Sequence, residues 1–218
     1  MPKIVDHEQY REELLEKCFH LFSEKGFSKV TMREIAKEAG ISTGAMYHYF
    51  PSKHAILEQM FLYVAQRDVA EASARTSVSG SFEHRLELFF EFFLERQSNF
   101  QRMLLLSIDF IRNYDSEDSE RLVAQWATYY IQSMQLYLEI PEAIAMTIGI
   151  YLNGLVYQTK LCPSLVPVEE QVALFRDMLT SYLLTHNDPK NRVCKMCPFM
   201  GDHPQAQATV RKGEKGDS

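Results

Sequence analysis

No stretch of about 18 uncharged apolar residues occurs in the 218-residue chain, so the sequence offers no candidate for a membrane-spanning helix. The N-terminus, "MPKIVDHEQYREELLEK", is charged from its third residue and lacks the apolar centre of a secretory signal. A cytoplasmic protein with no membrane partner is the expectation. Cysteine is scarce and unevenly placed, Cys18 and Cys162 standing alone and Cys194 and Cys197 forming a pair, which is no secreted disulfide framework. No segment alternates apolar and polar residues with β-branched enrichment, which argues against a sheet, and no internal repeat is visible. Catalytic constellations are missing too. There is no Ser/His/Asp arrangement, no glycine loop to cradle a phosphate and no pair of carboxylates in a shared apolar setting, so an enzyme is not expected.

What is present is apolar content and an uneven charge. At 46% hydrophobic residues the chain can bury a real core, with one or two domains as the prior. Residues 1–67 carry nine Lys+Arg against nine Asp+Glu and four of the seven histidines. Residues 68–185 carry eight against sixteen, and residues 186–218 six against four. The acidic middle makes the whole chain a poor nonspecific binder of polyanions, yet a neutral N-terminal segment can still present a basic face.

Helical periodicity runs through most of the chain. Leu15, Cys18, Phe19 and Phe22 fall at i, i+3, i+4 and i+7, and Gly26 can take the left-handed closing position with Phe27 folding back. Thr31 with Glu34 three residues on reads as a capping box, followed by an apolar stripe of Met32, Ile35, Ala36 and Ala39 that ends at Gly40. A short helix over about 43–49 is capped by Ser42 and stopped before Pro51. A longer one starts at Ser52, and further helices are expected at roughly 82–98, 100–112, 117–138, 142–161 and 168–185. The fold class is all-α. Residues 1–52 read as a helix-turn-helix domain, 53–185 as a helical body, and 186–218 as a polar tail.

Two short helices joined at Gly40 are what a helix-turn-helix needs, the first bracing the second as it enters the major groove (helix-turn-helix about 31–50). Thr43, Gly44 and Ala45 are small enough for close approach to a DNA backbone. Tyr47, His48, Tyr49 and Lys53 bear polar tips for phosphates and base edges. Thr31, Ile35, Ala36, Ala39, Gly40, Ile41, Ser42, Gly44, Met46, Tyr47, Tyr49, Phe50 and Lys53 resemble, without a gap, the pattern of the tetracycline-repressor (TetR) family of transcriptional regulators. The resemblance covers residues 10–67. It implies that Thr43, Tyr47, His48, Tyr49 and Lys53 face DNA, that Arg33 contacts a base or phosphate, and that Ser42 caps the reading helix. One of the two tyrosine rings can pack partly inward. By the same resemblance the function is that of a homodimeric, ligand-responsive repressor on a near-palindromic double-stranded operator, and the partners are that DNA, a second copy and a small-molecule effector.

The body carries more aromatic residues than folding alone requires. Phe89, Phe93, Trp126 and Tyr130 are candidate walls of an effector pocket, with Asp109, set in "MLLLSIDFI", as its polar group or as the partner of an arginine. By order, the helices at about 142–161 and 168–185 correspond to the family's dimerising pair, with Ile144, Ile148, Tyr151, Leu155, Leu174, Met178, Leu179 and Tyr182 as the expected interface. In the tail, Cys194-x-x-Cys197 has the spacing of zinc and iron–sulfur ligands, with His186 or His203 able to complete a set and a heme-linked Cys-Pro element as a weaker signal. A metal-, heme- or redox-responsive protein sensing through that pair is the alternative function.

Overall fold

Among the described residues, Gly26 and Gly40 are the two glycines with positive φ, at 84° and 77°, and each ends a helix where a side chain would be strained. The computed structural model describes residues 7–76, 81–114 and 117–185. Among the described residues there are eight helices and no strand: α1 (His7–Lys25), α2 (Met32–Ala39), α3 (Thr43–Tyr49), α4 (Lys53–Thr76), α5 (Phe82–Asn113), α6 (Glu117–Leu138), α7 (Glu142–Leu161) and α8 (Val168–Thr185). The local signals act as expected. Gly26 N–H donates to the Phe22 carbonyl at 2.8 Å, and buried Phe27 turns back so that its ring lies 5.2 Å from that of Phe22. At the start of α2, the Thr31 N–H donates to Glu34 Oε2 at 2.9 Å while Glu34 N–H donates to Thr31 Oγ1 at 3.3 Å.

One expected break does not occur. The segments at 82–98 and 100–112 form a single 32-residue helix, α5. Ser98 and Asn99 are weak helix formers, but each costs only about half a kcal/mol in a helix interior. Buried Phe92, Phe93 and Met103 on either side hold the backbone in register across them. Without a proline or glycine at the junction, packing wins.

The buried apolar residues form two clusters. The first joins α1–α3 to the first half of α4 (Ile56, Leu57, Met60, Phe61, Val64) and to Met103, Leu106 and Phe110 of α5. The second holds α5–α8 together around Leu86, Phe90, Phe93, Ile148, Leu155 and Val172. The core of the N-terminal head therefore continues past residue 53, and α5 belongs to both clusters. On α7 the expected interface residues Ile148 and Leu155 are buried within the second cluster, and Ile144 and Tyr151 are half-buried against it. The outer face is instead Met146, Ile150, Tyr157 and Leu161, with Ile150 68% exposed. Because α7 is apolar around most of its circumference, periodicity cannot tell its inner from its outer face. On α8, Leu174, Met178 and Tyr182 are exposed as expected, whereas Leu179 is buried.

Phe110 is fully buried, with ring centroids 5.3 Å from Phe27, 5.4 Å from Tyr114, 5.4 Å from His54 and 6.5 Å from Phe61. Phe110→Ala is expected to lower the unfolding free energy by about 3–5 kcal/mol in urea titration; a loss under about 1 kcal/mol would mean the head and body do not share this packing. Burial also pushes the Cys18 thiol up to about 12. A thiol raised in the folded state stays protonated after the unfolded chain has lost its proton, so stability is lost as pH rises from about 9 toward 12. Between pH 8 and pH 10 the wild type is expected to lose about 1.4 kcal/mol more than Cys18→Val. Parallel losses would contradict the shift.

Candidate nucleic-acid interface and ligand cavity

The exposed side of α3 is built from its buried side. Met46 and Phe50 are fully buried, and α2 packs against α3 through the turn closed by Gly40. Ser42 accepts the N–H of Ala45 at 3.0 Å, satisfying one of the free donors at the start of the helix. Phe50 N–H donates to the Met46 carbonyl at 2.9 Å before Pro51 ends the run. With that side anchored, Tyr47 is 51% exposed, and Ser42, Gly44 and His48 are exposed beside a half-buried Thr43. Arg33 is exposed on the first turn of α2. Seven of the eight candidate DNA-facing residues, all but Lys53, therefore lie on α2, α3 or the turn between them.

Tyr49 and Lys53 are placed differently from the others. The Tyr49 ring is half-buried, 5.6 Å from Tyr10 and 5.7 Å from His48, and the Tyr49 carbonyl accepts Arg11 Nη2 at 3.4 Å. Lys53 is turned inward. Its Nζ donates to the carbonyls of Phe27 at 2.7 Å and Val30 at 2.9 Å, and lies 4.4 Å from the centre of the Phe27 ring. Burial lowers the Lys53 pKa while Asp109 and Glu34 pull it back up. With two of its three N–H groups engaged, this ammonium braces the turn between α1 and α2 rather than reaching outward.

Asp109 also lies elsewhere than expected. It is absent from the lining of the body's aromatic cavity and sits instead at the join between head and body, accepting Asn113 Nδ2 at 2.9 Å and the Ser28 N–H at 3.4 Å. Its place on α5, one residue before Phe110, points it at the α1–α2 turn. Of the apolar residues that made it conspicuous, Met103, Leu106 and Phe110 belong to the first core cluster, while Leu105, Ile108 and Ile111 are exposed.

The cavity of the body has a volume of about 270 Å³ and lies among α4, α5, α6 and α7. Phe89, Phe93, Trp126 and Tyr130, all expected there, line it together with Phe92, Phe100 and Met134. The acid in its wall is Asp68, which sequence reading passed over because it follows Arg67 in a charged stretch. Asp68 is 1% exposed. Its Oδ2 accepts the Tyr130 hydroxyl at 2.8 Å and its Oδ1 accepts Arg67 Nη2 at 3.2 Å. Burial pushes the Asp68 carboxyl up, opposed chiefly by Arg67 and the Tyr130 hydroxyl. Burial and the facing carboxylate push the Tyr130 hydroxyl up as well. Cys194, Cys197, His186 and His203 lie outside the described residues, and among the described residues no three His, Cys, Asp or Glu side chains form a metal-binding group.

Residues 14–60 match the family model described as bacterial regulatory proteins, tetR family. The N-terminal domain belongs to the TetR family. A TetR-family head on this chain is 36% identical over 70 residues to the transcriptional repressor KstR2 of Mycobacterium tuberculosis, a match covering 29% of this chain and 35% of that protein. The transcriptional regulator BetI of Burkholderia thailandensis is 28% identical over 134 residues, covering 62% of this chain and 60% of BetI. The chain thus spans about a third and three fifths of these two relatives. A transcriptional regulator from Pseudomonas aeruginosa PAO1 superposes with a TM-score of 0.66 over 86% of this chain and 96% of its own at 20% identity, which is likeness of fold. No described helix is long and apolar enough to cross a membrane.

Lys53→Met removes a donor from two backbone carbonyls and is expected to cost about 2–3 kcal/mol in urea unfolding. Tyr47→Ala, on the exposed side of α3, is expected to stay within about 0.5 kcal/mol of wild type. Equal effects of the two substitutions would contradict the inward placement of Lys53.

Proposed function

We propose that the chain is a DNA-binding transcriptional regulator that reads an operator through α3, and that it acts as a repressor released by an effector bound in the body. The observation that carries this reading is the anchored α3 with Thr43, Tyr47 and His48 on its outer side and Arg33 on the helix that braces it. A short helix held from beneath and capped at its N-terminus has the geometry for major-groove entry. Tyr47 and Arg33 are suited to phosphate contacts, and Thr43 and His48 to base edges. Tyr49 would contribute its hydroxyl, its ring being held by Tyr10. Lys53 would contribute indirectly, by holding the turn that positions α2.

The exposed apolar residues of α7 and α8 support the same reading. Ile150, Tyr157 and Leu161 on α7 and Leu174, Met178 and Tyr182 on α8 are large, apolar and exposed. Such a surface favours a self-complementary interface, and a two-fold dimer would read a near-palindromic site with half-sites about one helical turn apart. The cavity lies between α7 and α4, and α4 begins in the core of the head, so an effector can bias two arrangements of the heads through its differential affinity for them.

Selection from random-sequence duplexes, followed by anisotropy titration on the selected duplex, tests the reading. The expected site is near-palindromic, and Tyr47→Ala is expected to weaken binding by about 1–3 kcal/mol while His48→Ala changes which base is preferred. Failure to enrich any duplex, or wild-type affinity and preference in both variants, would overturn it.

A further inference from the structure

The body cavity is lined by aromatic rings, and among the described residues Asp68 is the one Asp, Glu, Lys or Arg in its wall. That composition discriminates among ligand charges. An anion would meet Asp68 with no basic residue in the lining, Arg67 and Arg96 acting on that carboxylate from behind it, and a neutral molecule could use the carboxylate only through an O–H or N–H of its own. A cation gains from the ring faces and from the carboxylate together. Two features leave Asp68 with attraction to spare. Each carboxylate oxygen accepts one hydrogen bond, from Arg67 and from Tyr130, although each can accept two. Arg67, its partner, divides its guanidinium between Asp68 and Glu16, and its buried Nε donates to nothing among the described residues.

Arg67 also faces the other way. Its Nη1 pairs with Oε2 of Glu16, in the middle of α1, so one guanidinium bridges the cavity carboxylate and the DNA-reading head. A positive charge that enters beside Asp68 competes with Arg67 for that carboxylate. Exchange of one cation for another leaves no buried charge unpaired, which keeps the exchange accessible, whereas simple removal of Arg67 would not be. Once its hold on Asp68 weakens, the geometry of the Arg67–Glu16 pair is no longer set from the cavity side.

We propose that the cavity takes an organic cation, a quaternary or protonated amine on an apolar frame, whose charge pairs with Asp68 and loosens the bridge from Asp68 through Arg67 to Glu16. The inference rests on the reading of the cavity as an effector site.

The single tryptophan, Trp126, lines the cavity and reports on its occupancy. Trp126 fluorescence is titrated with benzyltrimethylammonium and with its neutral isostere neopentylbenzene. The wild type is expected to bind the cation about tenfold or more tighter than the isostere, and Asp68→Asn to reduce that preference to about threefold or less. Equal binding of the two compounds by the wild type would overturn the cation while leaving the cavity a ligand site, and needs no variant to be read. No fluorescence change with either compound, in protein that still binds its selected duplex, would overturn the cavity reading as well and leave the DNA-binding reading standing. In the duplex assay the cation is expected to lower wild-type affinity, and Glu16→Gln to bind the cation as the wild type does while its duplex affinity responds less. An unchanged response in Glu16→Gln would overturn the bridge.

Discussion

The seating of Phe110 between head and body is the contact on which the rest of the architecture depends. Its ring lies against Phe27 in the turn after α1, His54 and Phe61 on α4 and Tyr114 just beyond α5, so the turn, α4 and the end of α5 are referred to one buried position. Protein interiors are dense and yield little, so a displacement of α5 at its far end cannot be absorbed silently at this junction. Lys53 and Asp109 flank the same place from α4 and α5. One holds two carbonyls and the other an N–H of the turn that links α1 to α2.

From that junction the division of labour among the helices follows. α2 and α3 are short and capped at both ends by local hydrogen bonds, so they hold together as a unit despite having few residues to bury. α4 and α5 are long enough to take part in both apolar clusters or to border them, which lets them carry a displacement from the cavity to the head. α7 and α8 complete the body on one side and leave an apolar face on the other. The cavity therefore lies between the elements that would carry the signal and those that would meet a second copy.

Charge is distributed to match. Residues 1–67 are neutral overall and expose Tyr47 and His48 on α3, while the acidic balance lies in residues 68–185. The two buried or half-buried charges at the cavity, Asp68 and Arg67, are exceptions kept by mutual pairing and by the Tyr130 hydroxyl. Such a network is costly when incomplete and specific when complete, which suits a place where a ligand is to be recognised.

The sequence by itself determined what is local: the helical class, the left-handed closures at Gly26 and Gly40, the Thr31–Glu34 cap, the bounds of α3, and the residues that resemble a TetR-family reading head. These depend on neighbours within four or five positions, and residue order specifies those neighbours directly. Only the tertiary structure decided that α5 runs unbroken through Ser98 and Asn99, because burial of Phe92, Phe93 and Met103 outweighs a small propensity cost. It also decided that Lys53 turns inward, that Asp109 belongs to the head–body junction, that Asp68 is the cavity's acid, and which face of α7 is outermost. Each of those outcomes depends on partners tens of residues away, and a side chain's direction around an apolar helix is set by what packs against it.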